Sequence, residues 1–106
     1  MIVSVLTRNT RIKERAVWEL ALATVLPRIR ETLGHEAGFV SVEYLWGVDD
    51  AGCIAQMTKW ENEESCQNYI RNGVAATVAT IEEAAVPTAS YPDGAWVRTN
   101  FAAVES

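Results

Sequence analysis

The chain of 106 residues lacks several features by which common classes of protein are recognised. It has two cysteines, Cys53 and Cys66, in no spacing typical of a metal site, whereas a small secreted domain usually has more disulfides. No segment approaches the roughly 20 apolar residues that span a bilayer, and the N-terminal residues show no basic region or cleavage site of a leader. These absences predict a cytoplasmic protein with reduced thiols.

Clustered basic residues and cofactor motifs are also missing. Nine Lys and Arg residues against fourteen Asp and Glu residues give a net charge of −5, and no basic run is present to neutralise phosphates. The chain has no Gly-rich phosphate or dinucleotide motif, no His/Asp/Cys cluster suited to a catalytic metal, and a single histidine, His35. We therefore expect no nucleic-acid partner, no membrane association, no metal and no cofactor.

Apolar residues, in contrast, are abundant. Hydrophobic residues make up 49% of the chain, a large share for a small domain that buries a limited fraction of its surface. The length fits a single domain covering residues 1–106. Because aromatic side chains are common in cores and at interfaces alike, a partner subunit is expected to cover part of this surface. A well-filled monomeric core is the alternative.

Four segments rich in β-branched and apolar residues are predicted to be strands. They cover residues 2–7, 39–46, 53–60 and 95–102. In the second strand, Val40, Tyr44 and Trp46 are expected to share one face, with Phe39 on the opposite face. A turn signal at residues 91–94 precedes the last strand.

Two further segments are predicted to be helical. The first is capped by Thr10, runs through Pro27 and stops at Gly34. Its apolar stripe is predicted to consist of Trp18, Leu22, Val25, Ile29 and Leu33. The second is capped by Asn62, breaks at Gly73 and continues through an alanine-rich stretch.

The resulting order is β-α-β-β-α-β, the split βαβ arrangement. It predicts an α+β fold of ferredoxin-like topology, in which both helices pack on one face of a four-stranded antiparallel sheet. The other sheet face would be bare, although several strands carry apolar residues on both faces. Because two such sheets packed across a two-fold axis would remove that surface from water, we predict a homodimer.

Three short motifs resemble the antibiotic biosynthesis monooxygenase family, and the resemblance covers nearly the whole chain in the right order. The motifs are Leu26-Pro27-Arg28-Ile29, Glu36-Ala37-Gly38-Phe39 and Lys59-Trp60-Glu61-Asn62-Glu63-Glu64-Ser65. The resemblance implies a dimeric α/β barrel with a cavity between the sheet and the helices of each protomer. In monooxygenase members, an electron-rich phenol or anthrone reacts there with O₂ without metal or flavin.

The resemblance also implies three catalytic residues. Trp60 matches the family's tryptophan at the end of the third strand, and Gln56 lies on the same strand face, where some members carry an asparagine that contacts substrate. Tyr44, on the neighbouring strand, would stand near both. Trp60, Gln56 and Tyr44 are therefore the predicted catalytic residues, and an ordinary packing role is the alternative for each.

Asn9, Trp46, Tyr69 and Arg98 are the predicted substrate-binding residues. Asn9 follows the first strand, at a position where several family members carry a functional asparagine. Tyr69 would line the cavity from the second helix, and Arg98 would hold an anionic substrate. The alternatives are a loop residue for Asn9, packed aromatic residues for Trp46 and Tyr69, and an interface or surface ion pair for Arg98.

Three functions stay open at this stage. One is a cofactor-independent monooxygenase acting on a small aromatic, quinol-type or polyketide-like substrate, and another is a non-oxidative cyclase or isomerase. The last is a binding or structural dimer without chemistry, favoured by a thin supply of general bases: one histidine and no carboxylate expected to be buried. Haem degradation is not expected, because haem-degrading members rely on a histidine in a region that here, at residues 62–85, has none.

Overall fold

A computed structural model describes residues 1–90 and 94–104. Most of the turn predicted at residues 91–94, namely Tyr91, Pro92 and Asp93, lies outside these residues. The described strands are β1 (Ile2–Asn9), β2 (Phe39–Trp46), β3 (Cys53–Trp60) and β4 (Val97–Ala102), and the helices are α1 (Arg15–Gly34), α2 (Glu63–Arg71) and α3 (Val74–Ala85). The strands form one sheet in the order β2-β3-β1-β4, with all neighbours antiparallel. This arrangement confirms the predicted α+β, ferredoxin-like fold.

The core lies between the sheet and the helices. Alternate residues of the two central strands are buried on this side: Ser4, Leu6, Arg8, Ile54, Gln56, Thr58 and Trp60. The stripe predicted on α1 is buried as well, and consists of Trp18, Leu22, Val25, Ile29 and Leu33. The helices therefore contribute an apolar layer, whereas the middle of the sheet contributes several polar side chains to the same interior.

The prediction that Thr10 caps the first helix is wrong. α1 begins at Arg15, and its N-cap position is Glu14, which makes no side-chain cap hydrogen bond. Thr10 instead forms a β-bridge with Thr88, and its hydroxyl donates to the Pro87 carbonyl at 2.7 Å. The Thr10 side chain is therefore used to join the end of β1 to the segment that follows α3.

A bulge at the start of β2 changes which residues share a face. The register shifts between Phe39 and Ser41, so that Val40 is the extra residue. Phe39 pairs with Trp60 and lies on the helix-covered face, where the two ring centroids are 5.6 Å apart. The prediction that Val40 shares a face with Tyr44 and Trp46, opposite Phe39, is therefore wrong, and the expected alternation holds from Val42 onward.

The other helix predictions agree with the structure. α1 continues through Pro27 to Gly34. Asn62 caps α2, because its side-chain oxygen accepts a hydrogen bond from the Ser65 N–H at 2.9 Å. Gly73 separates α2 from α3 with φ at 81°, a conformation that glycine adopts at little cost. None of the described helices combines the length and hydropathy needed to cross a bilayer.

The sheet face turned away from the helices is largely apolar, and we call it the open face. Val5 and Met57 are half-buried there, whereas Leu45, Val97 and Phe101 are 46%, 56% and 52% exposed. These side chains belong to neighbouring strands, so they form a continuous patch. The open face therefore has the composition from which a partner subunit was predicted.

Candidate active site

Five polar side chains meet in the interior of the protein, and we call them the polar cluster. They come from different elements: Arg8 from β1, Tyr44 from β2, Gln56 from β3, Tyr69 from α2 and Glu82 from α3. Arg8, Gln56 and Glu82 are only 4%, 2% and 3% exposed. Because burying a charge is costly unless it is paired and hydrogen-bonded, the partners of each group decide whether the cluster is tolerated.

Gln56 stands at the centre of the polar cluster. Its amide nitrogen donates to the Tyr44 hydroxyl at 3.4 Å and to a carboxylate oxygen of Glu82. Its amide oxygen accepts a hydrogen bond from the Tyr69 hydroxyl at 3.4 Å. One amide group therefore brings two tyrosine hydroxyls and a carboxylate together, as expected of a buried polar side chain that must find partners.

The second partner of the Glu82 carboxylate is the Arg8 guanidinium. Nη2 of Arg8 lies 3.7 Å from Oε1 of Glu82, and Nη1 donates to the Thr88 hydroxyl at 3.4 Å. The guanidinium carbon also lies 4.3 Å from the ring centroid of Trp96. Nη2 makes no hydrogen bond with any of the described residues, so the contact with Glu82 is an ion pair without a close hydrogen bond.

Burial shifts the ionisation of the polar cluster. It raises the pKa of Glu82 above its usual range, although the charge of Arg8 opposes this rise. Burial also raises the pKa of Tyr44 and of Tyr69, and the nearby Glu82 carboxylate adds to both increases. Burial lowers the pKa of Arg8, against the effect of Glu82. The polar cluster thus contains a carboxyl group whose pKa is raised by burial. Perturbed pKa values of this kind are frequent at functional sites.

Aromatic residues extend the polar cluster toward α2 and β4. Trp60 is fully buried and stacks on Tyr69, with ring centroids 4.6 Å apart. Its indole N–H donates to the Thr58 hydroxyl at 2.9 Å. Arg98 places its guanidinium carbon 5.4 Å from the Tyr69 ring centroid and donates to the Ser4 hydroxyl at 2.7 Å. Tyr69 therefore joins both Trp60 and Arg98 to the cluster.

A cleft of about 590 Å³ opens between α1 and β2, and we call it the aromatic cleft. Trp18, Tyr44 and Trp46 line it, and the ring centroids of the two tryptophans are 5.2 Å apart. Of the polar cluster, Tyr44 alone lines this cleft among the residues that the structure describes. Tyr44 is therefore the link between an accessible apolar space and the buried carboxylate.

The predicted site residues fall into three groups. Those in or beside the polar cluster are Tyr44, Gln56, Trp60, Tyr69 and Arg98. Trp46 lies in the aromatic cleft. Asn9 does not join either group, because it pairs with Cys53 in a register that places it on the open face. The catalytic and binding roles assigned to these residues stay predictions.

The sequence analysis did not identify two residues of the polar cluster, Arg8 and Glu82. Its expectation that no carboxylate would be buried is wrong, because Glu82 is buried. Glu82 follows Ala75 and Val78 at helical spacing, so it lies on the buried stripe of α3. Arg8 follows Leu6 at strand spacing on the helix-covered face. In both cases a charged residue at an otherwise apolar position of the pattern was the available signal.

Residue types that bind metals are dispersed in the part of the chain that the structure describes. No group of three or more His, Cys, Asp or Glu side chains there is placed to hold a metal ion. Both cysteines, Cys53 and Cys66, are free thiols. Cys66 is fully buried, and burial raises the pKa of its thiol, which is typical of a structural rather than a reactive cysteine.

Neither a protein-family model nor a curated protein sequence matches the chain. Solved structures do match it. A monooxygenase from Streptomyces coelicolor in complex with nanaomycin D is 15% identical, with a TM-score of 0.70 over 99% of this chain and 88% of that one. SnoaB, a cofactor-independent oxygenase from Streptomyces nogalater, is 17% identical, with a TM-score of 0.61 over 99% of this chain and 95% of that one.

A third similar structure is described as an antibiotic biosynthesis monooxygenase. It is 10% identical to this chain, with a TM-score of 0.60, and the match covers 99% of this chain and 100% of that one. At such identities the comparison shows the fold. The resemblance found in the sequence is confirmed at that level: this chain has the fold of the antibiotic biosynthesis monooxygenases.

Proposed function

We propose that the protein is a cofactor-independent monooxygenase that oxidises a small aromatic, quinol-type or polyketide-like substrate. The observation that carries the proposal is the position of Tyr44, which lines the aromatic cleft and is hydrogen-bonded to the polar cluster behind it. Two structures of the same fold support it, one a monooxygenase in complex with nanaomycin D and the other a cofactor-independent oxygenase.

The lining of the aromatic cleft suits a flat, largely apolar substrate. Trp18 and Trp46 present ring surfaces, and Leu22 and Val42 add aliphatic contacts. Aromatic rings pack well in offset or edge-to-face arrangements against such side chains. Four charged side chains also line the cleft: Arg15, Glu19, Arg30 and Glu43. Because Arg15 is paired with Glu19, the guanidinium of Arg30 is the group that suits an anionic substituent of the substrate.

The reaction asks little of the protein beyond binding, orientation and proton transfer. Removal of a proton from an electron-rich phenol or anthrone leaves an anion that passes an electron to O₂. For an anthrone, the methylene carbon becomes a carbonyl: CH₂ and O₂ give C=O and H₂O. One oxygen atom enters the product, the other leaves as water, and the substrate supplies all the electrons.

In this proposal Tyr44 contacts the substrate, and the residues behind it hold its hydroxyl in place. Gln56 donates to the Tyr44 hydroxyl and is itself held by Tyr69. Trp60 stacks on Tyr69 from within the core, and Arg98 lies over the same ring. These predicted site residues therefore act mainly as positioning residues, and Trp46 contributes to binding.

We also propose that residues 1–106 act as a single domain and that two copies pair through their open faces. The exposed side chains of Val97 and Phe101 support this pairing, since apolar surface of this kind is normally covered in an interface. We place the protein in the cytoplasm, because its free thiols suit a reducing compartment.

The test is oxygen uptake by the purified protein with a panel of anthrones and quinols, in the presence of a metal chelator. We expect uptake above the uncatalysed rate, with one O₂ consumed for each molecule of product. Trp46→Leu should lower kcat/KM by about tenfold or more. Leu20→Ala is the control, because Leu20 lies on α1 at 72% exposure and does not line the cleft.

The other outcomes identify the alternatives. Uptake no faster than without protein, across the whole panel, would contradict the proposal. Product formation under argon would indicate a non-oxidative cyclase or isomerase. Ligand-induced stabilisation without any turnover would indicate a binding dimer.

A further inference from the structure

We propose that Glu82 is the general base of this site and that the proton of the substrate reaches it through the Tyr44 hydroxyl. The inference rests on the proposed function for its substrate, and on the geometry of the polar cluster for its residues. It assigns the base to α3, whereas the other members of the polar cluster come from the strands and α2.

The positions of the two residues define the path. Tyr44 lines the aromatic cleft, whereas Glu82 is 3% exposed and lies behind it. The amide nitrogen of Gln56 donates to the Tyr44 hydroxyl oxygen and to a Glu82 oxygen, so the two oxygens flank one nitrogen. Because the hydroxyl oxygen accepts from Gln56, its own hydrogen is available for donation, and the charge of the nearby Glu82 carboxylate acts on Tyr44.

Stability alone does not account for the charged pair in the interior. A buried ion pair contributes little net stability compared with apolar side chains of similar size, and the same stripe of α3 elsewhere buries Ala75 and Val78. The Arg8–Glu82 contact is also long, at 3.7 Å, and Nη2 of Arg8 has no hydrogen bond among the described residues. What Arg8 does supply is a positive charge that favours the ionised, proton-accepting form of Glu82.

The groups that face Glu82 are an arginine, a glutamine and two tyrosines, so Glu82 itself is the carboxylate suited to act as the base. β1 contributes Arg8 and β2 contributes Tyr44, while β3 contributes Gln56, which does not titrate. From α2, Tyr69 lies close enough to interact with the Glu82 charge. Both tyrosines have raised pKa values, so Tyr44 passes a proton on without staying ionised.

The proton transfers balance over one turnover. The substrate gives a proton to the Tyr44 hydroxyl oxygen while the hydroxyl hydrogen moves to Glu82, which leaves a substrate anion and a neutral Glu82. The anion reacts with O₂ to form a carbon–oxygen bond and a peroxide anion. The proton then returns from Glu82 through Tyr44 to the outer oxygen of the peroxide. The remaining hydrogen on the same carbon is lost as a proton while the O–O bond breaks, and the hydroxide that leaves takes up that proton to form water as the carbonyl forms. Glu82 is again a carboxylate.

Two variants test the path by steady-state kinetics. Glu82→Gln and Tyr44→Phe should each lower kcat by roughly 10²–10⁴-fold, while the Kd for anthrone, measured under argon by quenching of tryptophan fluorescence, changes little. The wild-type rate should rise with pH as Glu82 ionises, and this rise should be absent in Glu82→Gln. Glu64→Gln is the control, because Glu64 is an exposed carboxyl group in the first turn of α2.

Exchange of the anthrone methylene hydrogens with deuterium, followed by NMR under argon, tests the base without oxygen. Wild type should accelerate the exchange, whereas Glu82→Gln and Tyr44→Phe should not. Circular dichroism checks that each variant is folded. If Glu82→Gln does not fold, Tyr44→Phe, which retains the Arg8–Glu82 pair, carries the test.

The outcomes separate this inference from the proposed function. Exchange without oxygen uptake would support the base and reject the monooxygenase. Oxygen uptake that persists at the wild-type rate and pH dependence in Glu82→Gln would reject the base and support the monooxygenase. Failure of the wild type to accelerate exchange would overturn the role of Glu82 whatever the oxygen result.

Discussion

Nη2 of Arg8 and Oε1 of Glu82 lie 3.7 Å apart, and both side chains are buried. The pair connects a central strand of the sheet, β1, to α3 across the core. Each charge would be costly to bury alone, so each makes the burial of the other tolerable. The same contact places a carboxylate beside Gln56 and Tyr44.

Arg8→Met should destabilise the protein by about 3 kcal/mol, because Glu82 would be left buried without a positive partner. Glu82→Leu should have a similar effect through Arg8. The double variant Arg8→Met/Glu82→Leu should be more stable than the sum of the single losses predicts, since apolar residues then replace both charges. Urea denaturation of the four proteins measures this coupling, and strictly additive losses would contradict it.

The stability of the protein should depend on pH through Glu82. Burial raises the pKa of Glu82 in the folded protein, so the folded state binds this proton more tightly than the unfolded chain does. The stabilisation is complete below the unfolded carboxyl pKa, roughly 4.3, and is lost as the pH rises through the higher folded pKa. The free energy of unfolding of wild type relative to Glu82→Gln should therefore fall across that window.

Urea titrations at a series of pH values from about 4 to 8 measure this difference. Glu64→Gln is again the control, because it removes an exposed carboxyl group from α2. A difference between wild type and Glu82→Gln that stays constant with pH would show that Glu82 keeps its ordinary pKa in the folded protein.

Gly38→Ala should cost more stability than Gly73→Ala. Both glycines have positive φ, 79° and 81°, so each alanine carries roughly 1–2 kcal/mol of backbone strain. A Cβ on Gly38 would also overlap the Ser65 hydroxyl oxygen, whereas one on Gly73 meets no described atom within 4 Å. Thermal unfolding of the two variants compares them, and equal losses would argue against the close approach of Gly38 to α2.

Charge on the open face should separate the proposed homodimer. Met57→Lys and Phe101→Lys place an ammonium group where two apolar sheets would meet, so sedimentation velocity at micromolar concentration should show monomers. Leu20→Lys, at an exposed position on α1, should leave the assembly unchanged. A wild-type protein that sediments as a monomer would contradict the proposed pairing of open faces.

The sequence predicted well those elements whose signals are local. β2 and β3 have the predicted bounds, and the α1 stripe from Trp18 to Leu33 is buried as its spacing indicated. The hairpin register follows from the same alternation, which is why Tyr44 and Gln56 were expected to be neighbours and are paired. Periodicity sufficed here because each strand has a buried side set by its own residues.

Predictions that depended on distant partners were less successful. Thr10 has the chemistry of a helix cap, but its hydroxyl bonds to Pro87 instead. Phe39 changes face because a bulge adds one residue before the register with β3 resumes. Such competition between local and tertiary hydrogen bonds is decided by segments far away in the chain, which a local pattern does not contain.

Periodicity, turn residues and the excess of apolar side chains by themselves determined the element order and the sheet-and-helix layers of this protein. Only the tertiary structure decided that Arg8 and Glu82 meet in the interior and that Tyr44 stands between them and an open cleft. The physical reason is that a charge can be buried only when its partner arrives from another element. That arrival depends on packing in three dimensions, because the spacing along the chain indicates that each residue is buried but does not indicate its partner.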